Sequence, residues 1–179
     1  MREACIAVVR SGADCVRRAR LRLADIASFD PPLADLLAYW QGKRGDRPMP
    51  AKRDIDPLDL RKALGRIHIV ETAGRTPLEF RYRLWGSDVS YERGRDFTDT
   101  TVGEAEPAIY RDAVAADYFT AVSTGAPAYQ EVEAQLDFLT YRYGRLLLPL
   151  SDDGRTVSHL LVCIHERPLR ALVDARPAA

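Results

Sequence analysis

The apolar residues between positions 66 and 166 change period twice, and that change limits the folds open to the chain. Ile67, Ile69 and Val70 lie in a β-rich run. After a turn at 73–77, Leu78, Phe80, Tyr82 and Leu84 alternate with Glu79, Arg81, Arg83 and Trp85, which predicts a hairpin. Over 107–124 the period becomes helical: Tyr110, Val114, Tyr118 and Val122 recur every four residues, and Gly125 supplies the stop. Three strand-like segments follow at about 128–138, 141–150 and 155–166, with Ser151-Asp152-Asp153-Gly154 a strong turn between the last two. Turns this short force antiparallel pairing, because a parallel crossover needs a dozen or more residues. The order of two strands, short helices, one long helix and three strands predicts an α+β fold. Its expected form is a five-stranded antiparallel sheet with the helices on one face.

The chain divides by composition into an N-terminal helix and linker (1–32), a central domain (33–168) and a flexible tail (169–179). In the first part, Ile6, Val9, Ala13, Val16, Ala19 and Leu23 recur at three- and four-residue steps, which predicts an amphipathic helix among Arg10, Arg17, Arg18, Arg20 and Arg22. Gly12 inside that helix would cost about 1 kcal/mol relative to Ala. Phe29-Asp30-Pro31-Pro32 is expected to break it. The stripe has no Trp or Phe before Phe29, so a second copy of the chain fits it better than a membrane surface. A homodimer using this helix and the sheet face is the expectation. In the central domain, Leu33, Leu36, Leu37 and Trp40 have helical spacing, and Asp56-Pro57 begins a short helix that Gly65 closes.

Lys+Arg and Asp+Glu number 26 each, so global charge gives no reason to expect duplex DNA as a partner. The chain has no apolar run long enough for a transmembrane helix and no secretory signal. Cys5, Cys15 and Cys163 are odd in number and scattered, which fits a reducing cytoplasm. Arg81 and Arg83, and Arg142 and Arg145, interleave with aromatic residues. That pattern can bind nucleic acid by stacking, but a solvated or partner-covered face pairing with Glu79, Glu131 and Glu133 explains it as well and is preferred.

An ordered set of segments resembles a PAS domain, and more narrowly a group of short bacterial PAS proteins that often stand alone. The set comprises Tyr39-Trp40 through Lys43-Arg44, Arg47-Pro48-Met49-Pro50, Asp54-Ile55-Asp56-Pro57, Tyr82-Arg83-Leu84-Trp85-Gly86, Gly94-Arg95-Asp96-Phe97-Thr98 and Leu148-Pro149-Leu150-Ser151-Asp152-Asp153-Gly154. The resemblance implies a sensory or regulatory module without catalysis of its own, whose output passes through a separate signalling protein. It also implies a ligand held between sheet and short helices, or a partner on the outer sheet face. Asp99 departs from the group, which usually has Gly after Asp-x-Thr. Haem and flavin are disfavoured and no cofactor is expected: residues 87–124 hold no Cys, and 107–124 hold no His.

A ligand pocket is expected from Tyr82 and Leu84 on the second strand, Tyr110, Val114 and Tyr118 on the long helix, and Leu146, Leu148, Leu160 and Val162 on the last two strands. Several tyrosines in one core need partners for their hydroxyls, which points to a ligand with polar groups; the alternative is a filled core. No metal site is expected. His159, Cys163 and His165 share a strand face, but the two histidines stand about 20 Å apart on an extended strand. No nucleophile elbow, P-loop or dinucleotide fingerprint is present. The rival to a PAS module is a small α+β enzyme of the cone-shaped isomerase or dehydratase type, against which the early hairpin argues.

Overall fold

The period-2 runs are strands in the computed structural model, which describes residues 5–136 and 138–166. The strands are β1 (Cys5–Ser11), β2 (Asp14–Leu21), β3 (Ile67–Glu71), β4 (Arg81–Leu84), β5 (Ala128–Leu136), β6 (Leu139–Leu150) and β7 (His159–Glu166). They form one antiparallel sheet in the spatial order β1-β2-β5-β6-β7-β3-β4. The turn after β6 is satisfied within itself. The Asp153 carboxylate accepts from Ser151 Oγ at 2.9 Å and from the backbone N–H groups of Arg155 and Thr156 at 2.8 and 2.7 Å. Those backbone bonds hold its carboxyl well below the usual carboxylate range. The helices are α1 (Ile26–Phe29), α2 (Pro31–Arg44), α3 (Ser87–Arg93) and α4 (Ala108–Thr124). Asp30 both ends the short α1, as its C-cap, and starts α2, as its N-cap, where its carboxylate accepts the Leu33 N–H at 3.4 Å. Asp56-Pro57 opens a run of turns, with Asp56 accepting the Leu58 N–H at 2.8 Å, where a short helix was expected.

The expected N-terminal helix is a β-hairpin, which makes the sheet seven-stranded where five strands were expected. Gly12 is the first of two residues between β1 and β2 and sits at φ 58°. That is the conformation a tight hairpin turn requires and an L-side chain resists. Ile6 and Val9, like Val16 and Ala19, stand three residues apart and so face opposite sides of their strands; pairing with β5 overrides the helical spacing. β2 pairs with β5 from Cys15↔Gln135 to Leu21↔Tyr129, placing Arg17 opposite Glu133, with the ion pair at 3.1 Å. The expected flexible tail, 169–179, lies outside the described residues.

Helices pack on both faces of the sheet. The α2 face is marked by the Trp40 indole donating to the Pro149 carbonyl at 2.9 Å and by Asp30 meeting His165 Nδ1 at 2.8 Å. Gly144 belongs to this face: a Cβ there would stand 2.7 Å from the Asp30 carboxylate and 3.0 Å from the Tyr129 hydroxyl. The other face carries α4, joined to β6 by a Tyr110–Tyr143 hydroxyl bond of 2.8 Å and by an Asp117–Arg145 ion pair.

Candidate ligand-binding site

Alternation along β6 and β7 decides which side chains look toward α4. Tyr143 and Arg145 reach helix residues, and Arg145 pairs with Ile164 of β7. Leu146 and Leu148 therefore project to the α2 face, beside Cys163 and Leu161. Between the α4 face and the segment 82–110 lies a cavity of about 280 Å³, lined by residues that include Tyr82, Trp85, Phe97, Glu106, Tyr110, Val114, Tyr118, Tyr141, Arg145 and Ile164. Of the residues expected around a pocket, Tyr82, Tyr110, Val114 and Tyr118 line it. Leu146 and Leu148 are on the wrong face. Leu160 and Val162 share the face of Ile164 but lie farther along the sheet, opposite Pro149 and Leu147, within the packed core.

Leu84 is also misplaced by the expectation, and the cause is a β-bulge. The single step from Ile69 to Val70 in β3 is matched by two steps in β4, from Leu84 to Tyr82. Ile69 and Val70 face opposite sides, so their partners do too. Tyr82 is buried toward the cavity and Leu84 is 38% exposed, while Trp85, expected on the outer face, lines the cavity. His68, fully buried, braces Trp85 by stacking at 3.8 Å between ring centroids and accepts the Gly86 N–H on Nδ1 at 3.3 Å.

The charged centre of this face escaped the sequence reading. Arg145 is 2% exposed. Its Nη2 donates to Asp117 Oδ2 and to Gln130 Oε1, the latter at 2.8 Å. Asp117 also accepts from Arg18 Nη1 at 2.7 Å and from Gln130 Nε2 at 3.0 Å. Burial alone would favour a neutral Arg145, but the Asp117 carboxylate and the surrounding tyrosines outweigh it, and the guanidinium is held charged more firmly than usual. Tyr118 packs its ring 5.9 Å from the guanidinium. Its hydroxyl is pushed up to about 12 by burial, with Arg145 pulling the other way. Tyr82 rises well above its ordinary value through burial and then through the Tyr118 hydroxyl beside it. Two signals for Arg145 were in the sequence: it shares the parity of Tyr141 and Tyr143, and Asp117 sits on the apolar face of the helix beside Tyr118.

Elsewhere the arginines expected on a solvated or covered face pair with carboxylates. Arg142 meets Glu133 at 2.8 Å, and Arg83 meets Glu71 at 2.7 Å and Asp99 at 3.3 Å. Among the described residues no group of three or more His, Cys, Asp or Glu side chains is arranged to hold a metal ion. No helix among them is long and apolar enough to cross a membrane.

A sheet with a cavity between one face and the segment of short helices is the arrangement expected above, and a family model for the PAS domain matches residues 28–165. The chain belongs to the PAS domain family. Searches of curated proteins and of solved structures return no match. The PAS region contains β3 to β7, five contiguous strands in the order β5-β6-β7-β3-β4, so the sheet expected from the sequence is present within it. The β1–β2 hairpin precedes the PAS region and extends its sheet at the β5 edge. Asp99, the position at which the resemblance led to an expectation of Gly, has φ 63°: the backbone takes the glycine-favoured conformation although the residue is Asp.

Proposed function

We propose that this PAS domain is a sensor that holds a small organic molecule between its sheet and α4 and reports occupancy to a separate signalling protein, with no catalytic step of its own. The observation that carries the reading is the cavity itself: about 280 Å³ of space, walled by four tyrosines and floored by a buried guanidinium. The polar groups of the wall are paired within the protein, Tyr110 with Tyr143 and Arg145 with Asp117 and Gln130, so it is the unfilled space beside them that supports a ligand. No His or Cys is among the lining residues, which supports a colourless ligand in place of haem or a thiol-linked chromophore. Cytoplasmic location belongs to the same reading, supported by the free thiols of Cys15 and Cys163.

The test is denaturing extraction and mass spectrometry of the full chain purified from cells, followed by thermal-shift screening with small organic molecules. A stoichiometric extracted compound, or a concentration-dependent rise in melting temperature, is expected. Absence of both would overturn the reading. A homodimer is part of the proposal, with the hairpin taking the role assigned to a helix. β1 is an edge strand with Val8 48% and Val9 40% exposed, and such an edge is normally covered. Light scattering should give a dimer for the full chain and a monomer for Val8→Lys; a monomeric full chain would refute this part.

A further inference from the structure

We infer that the ligand of this cavity is a small monocarboxylate with a compact apolar body, its carboxylate held by Arg145. The inference rests on the proposal that the cavity takes a ligand at all, and it specifies the chemistry of that ligand.

Charge is the first ground. On the α4 face Arg145 and Arg18 share one carboxylate, Asp117, and their side chains are only 2% and 12% exposed. Gln130 completes the cluster and is neutral. Glu133 does not help, because it is occupied by Arg17 and Arg142 on the opposite face. Arg95 and Glu106, which also line the cavity, are both exposed and opposite in sign, so the rim leaves the balance unchanged. Counting Arg18, which is only partly buried, the cluster carries one positive charge more than it neutralises. Buried ions are retained at a cost of several kcal/mol unless a counter-charge completes them.

Unused donors are the second ground. Both protons of Arg145 Nη2 are taken, by Asp117 and Gln130, while its Nε is buried without a hydrogen-bond partner. Trp85 Nε1 is in the same state, and Trp85 lines the same cavity. Both N–H groups belong to residues that line the cavity but are themselves covered by protein, so a ligand reaches them by a shift of the Arg145 and Trp85 side chains, and a group that only accepts is the one that would satisfy them. An ionised carboxylate is such a group, and a charge-assisted bond to guanidinium is about twice as strong as a neutral one. An amine or a neutral alcohol would add donors where donors are already in surplus.

Size and walls are the third. About 280 Å³ is at or just below the lower end of ordinary ligand pockets. Trp85, Phe97 and Tyr82 form a connected aromatic wall, with centroid separations of 4.8 and 4.9 Å from Trp85 to Tyr82 and Phe97. A single ring or a short alkyl chain fits that wall.

The test titrates the full chain with matched pairs that differ only in the charged group: benzoate and benzamide, phenylacetate and phenylacetamide, hexanoate and hexanamide. Calorimetry or ligand-observed NMR reads affinity. In at least one pair the carboxylate should bind at least tenfold more tightly, and Arg145→Met should abolish that preference. Should Arg145→Met not fold, Arg145→Lys keeps the charge but loses the Nε–H and should reduce the preference. Amides binding as well as carboxylates would overturn the inference while leaving the ligand cavity intact. A carboxylate preference unchanged in the Arg145 variants would overturn the assignment to Arg145. No binding by any probe, with no molecule extracted from the purified protein, would overturn the cavity reading and this inference with it.

Discussion

Asp117→Asn should destabilise this domain by about 3–5 kcal/mol, the range for removing one partner from a buried ion pair. The structure locates the effect in a single carboxylate, 8% exposed, that receives Arg145 Nη2, Arg18 Nη1 and Gln130 Nε2. Asparagine keeps the shape and one acceptor oxygen, so packing is preserved and the loss is mainly electrostatic. Arg145, at 2% exposure, then has no anion, and most of the penalty is its uncompensated charge. Arg18 is partly exposed and contributes less, about 1 kcal/mol. The reverse substitution, Arg145→Met, should cost less, because Asp117 keeps Arg18 and methionine fills the apolar volume. Equilibrium urea unfolding followed by tryptophan fluorescence measures both. With a urea slope of about 2 kcal/mol per molar, Asp117→Asn should lower the midpoint by about 2 M. A loss below 1 kcal/mol for Asp117→Asn, or a larger loss for Arg145→Met, would show that the cluster does not carry a surplus cation.

Gly12→Ala should destabilise the domain by about 1–2 kcal/mol in the same urea assay, since φ at this turn is 58°; a neutral result would mean that the hairpin turn is not as described. Asp99→Gly should act the other way and stabilise by about 0.5–1 kcal/mol, because glycine takes φ 63° without penalty and the Asp99 carboxylate makes only an exposed contact to Arg83. Stability should fall with rising alkaline pH. The Cys163 thiol is raised from 9.0 to about 12 by burial and then by Asp30, and the Tyr118 hydroxyl from 10.0 to about 12 by burial. Between those values the unfolded chain has released protons that the folded chain still holds, so each unit of pH favours unfolding. Urea midpoints at pH 8 and 11 measure the loss, and Tyr118→Phe should reduce it; equal midpoints for the native protein would refute the assignment. By the same burial, Cys163 should resist alkylation at pH 8 in the folded protein and react once urea unfolds it.

Strand and helix types in the PAS region were legible where one residue face repeats without interruption. α4 reads directly from Tyr110, Val114, Tyr118 and Val122 with Gly125 at its end, and the structure begins it one residue after Pro107. β5 to β7 read from their turns and alternation. The cavity was legible only in part. Helical period put Tyr110, Val114 and Tyr118 on one side correctly, but nothing in an alternating run reports where an extra residue enters. At β4 that extra residue exchanged Leu84 for Trp85. On β6 an unbroken apolar run, Leu146 to Leu150, hid the parity. A strand buried on both faces carries apolar residues at every position, so Leu146 and Leu148 looked as eligible as Tyr143 and Arg145.

Local physical chemistry within the sequence determined the period of each PAS segment, the turn at Asp153, the starts and stops of helices, and the family to which residues 28–165 belong. Long-range pairing decided the rest. Residues 5–21 carry a helical spacing and no regular strand alternation, and a two-stranded hairpin alone is marginal in water. What selects the hairpin is the exposed edge of β5, over a hundred residues away, whose backbone groups and Glu133 carboxylate are satisfied when β2 pairs with it. Arg145 is decided in the same way. Its neighbours in sequence cannot neutralise a buried cation; Asp117 can, and only the docking of α4 on β6 brings the two together.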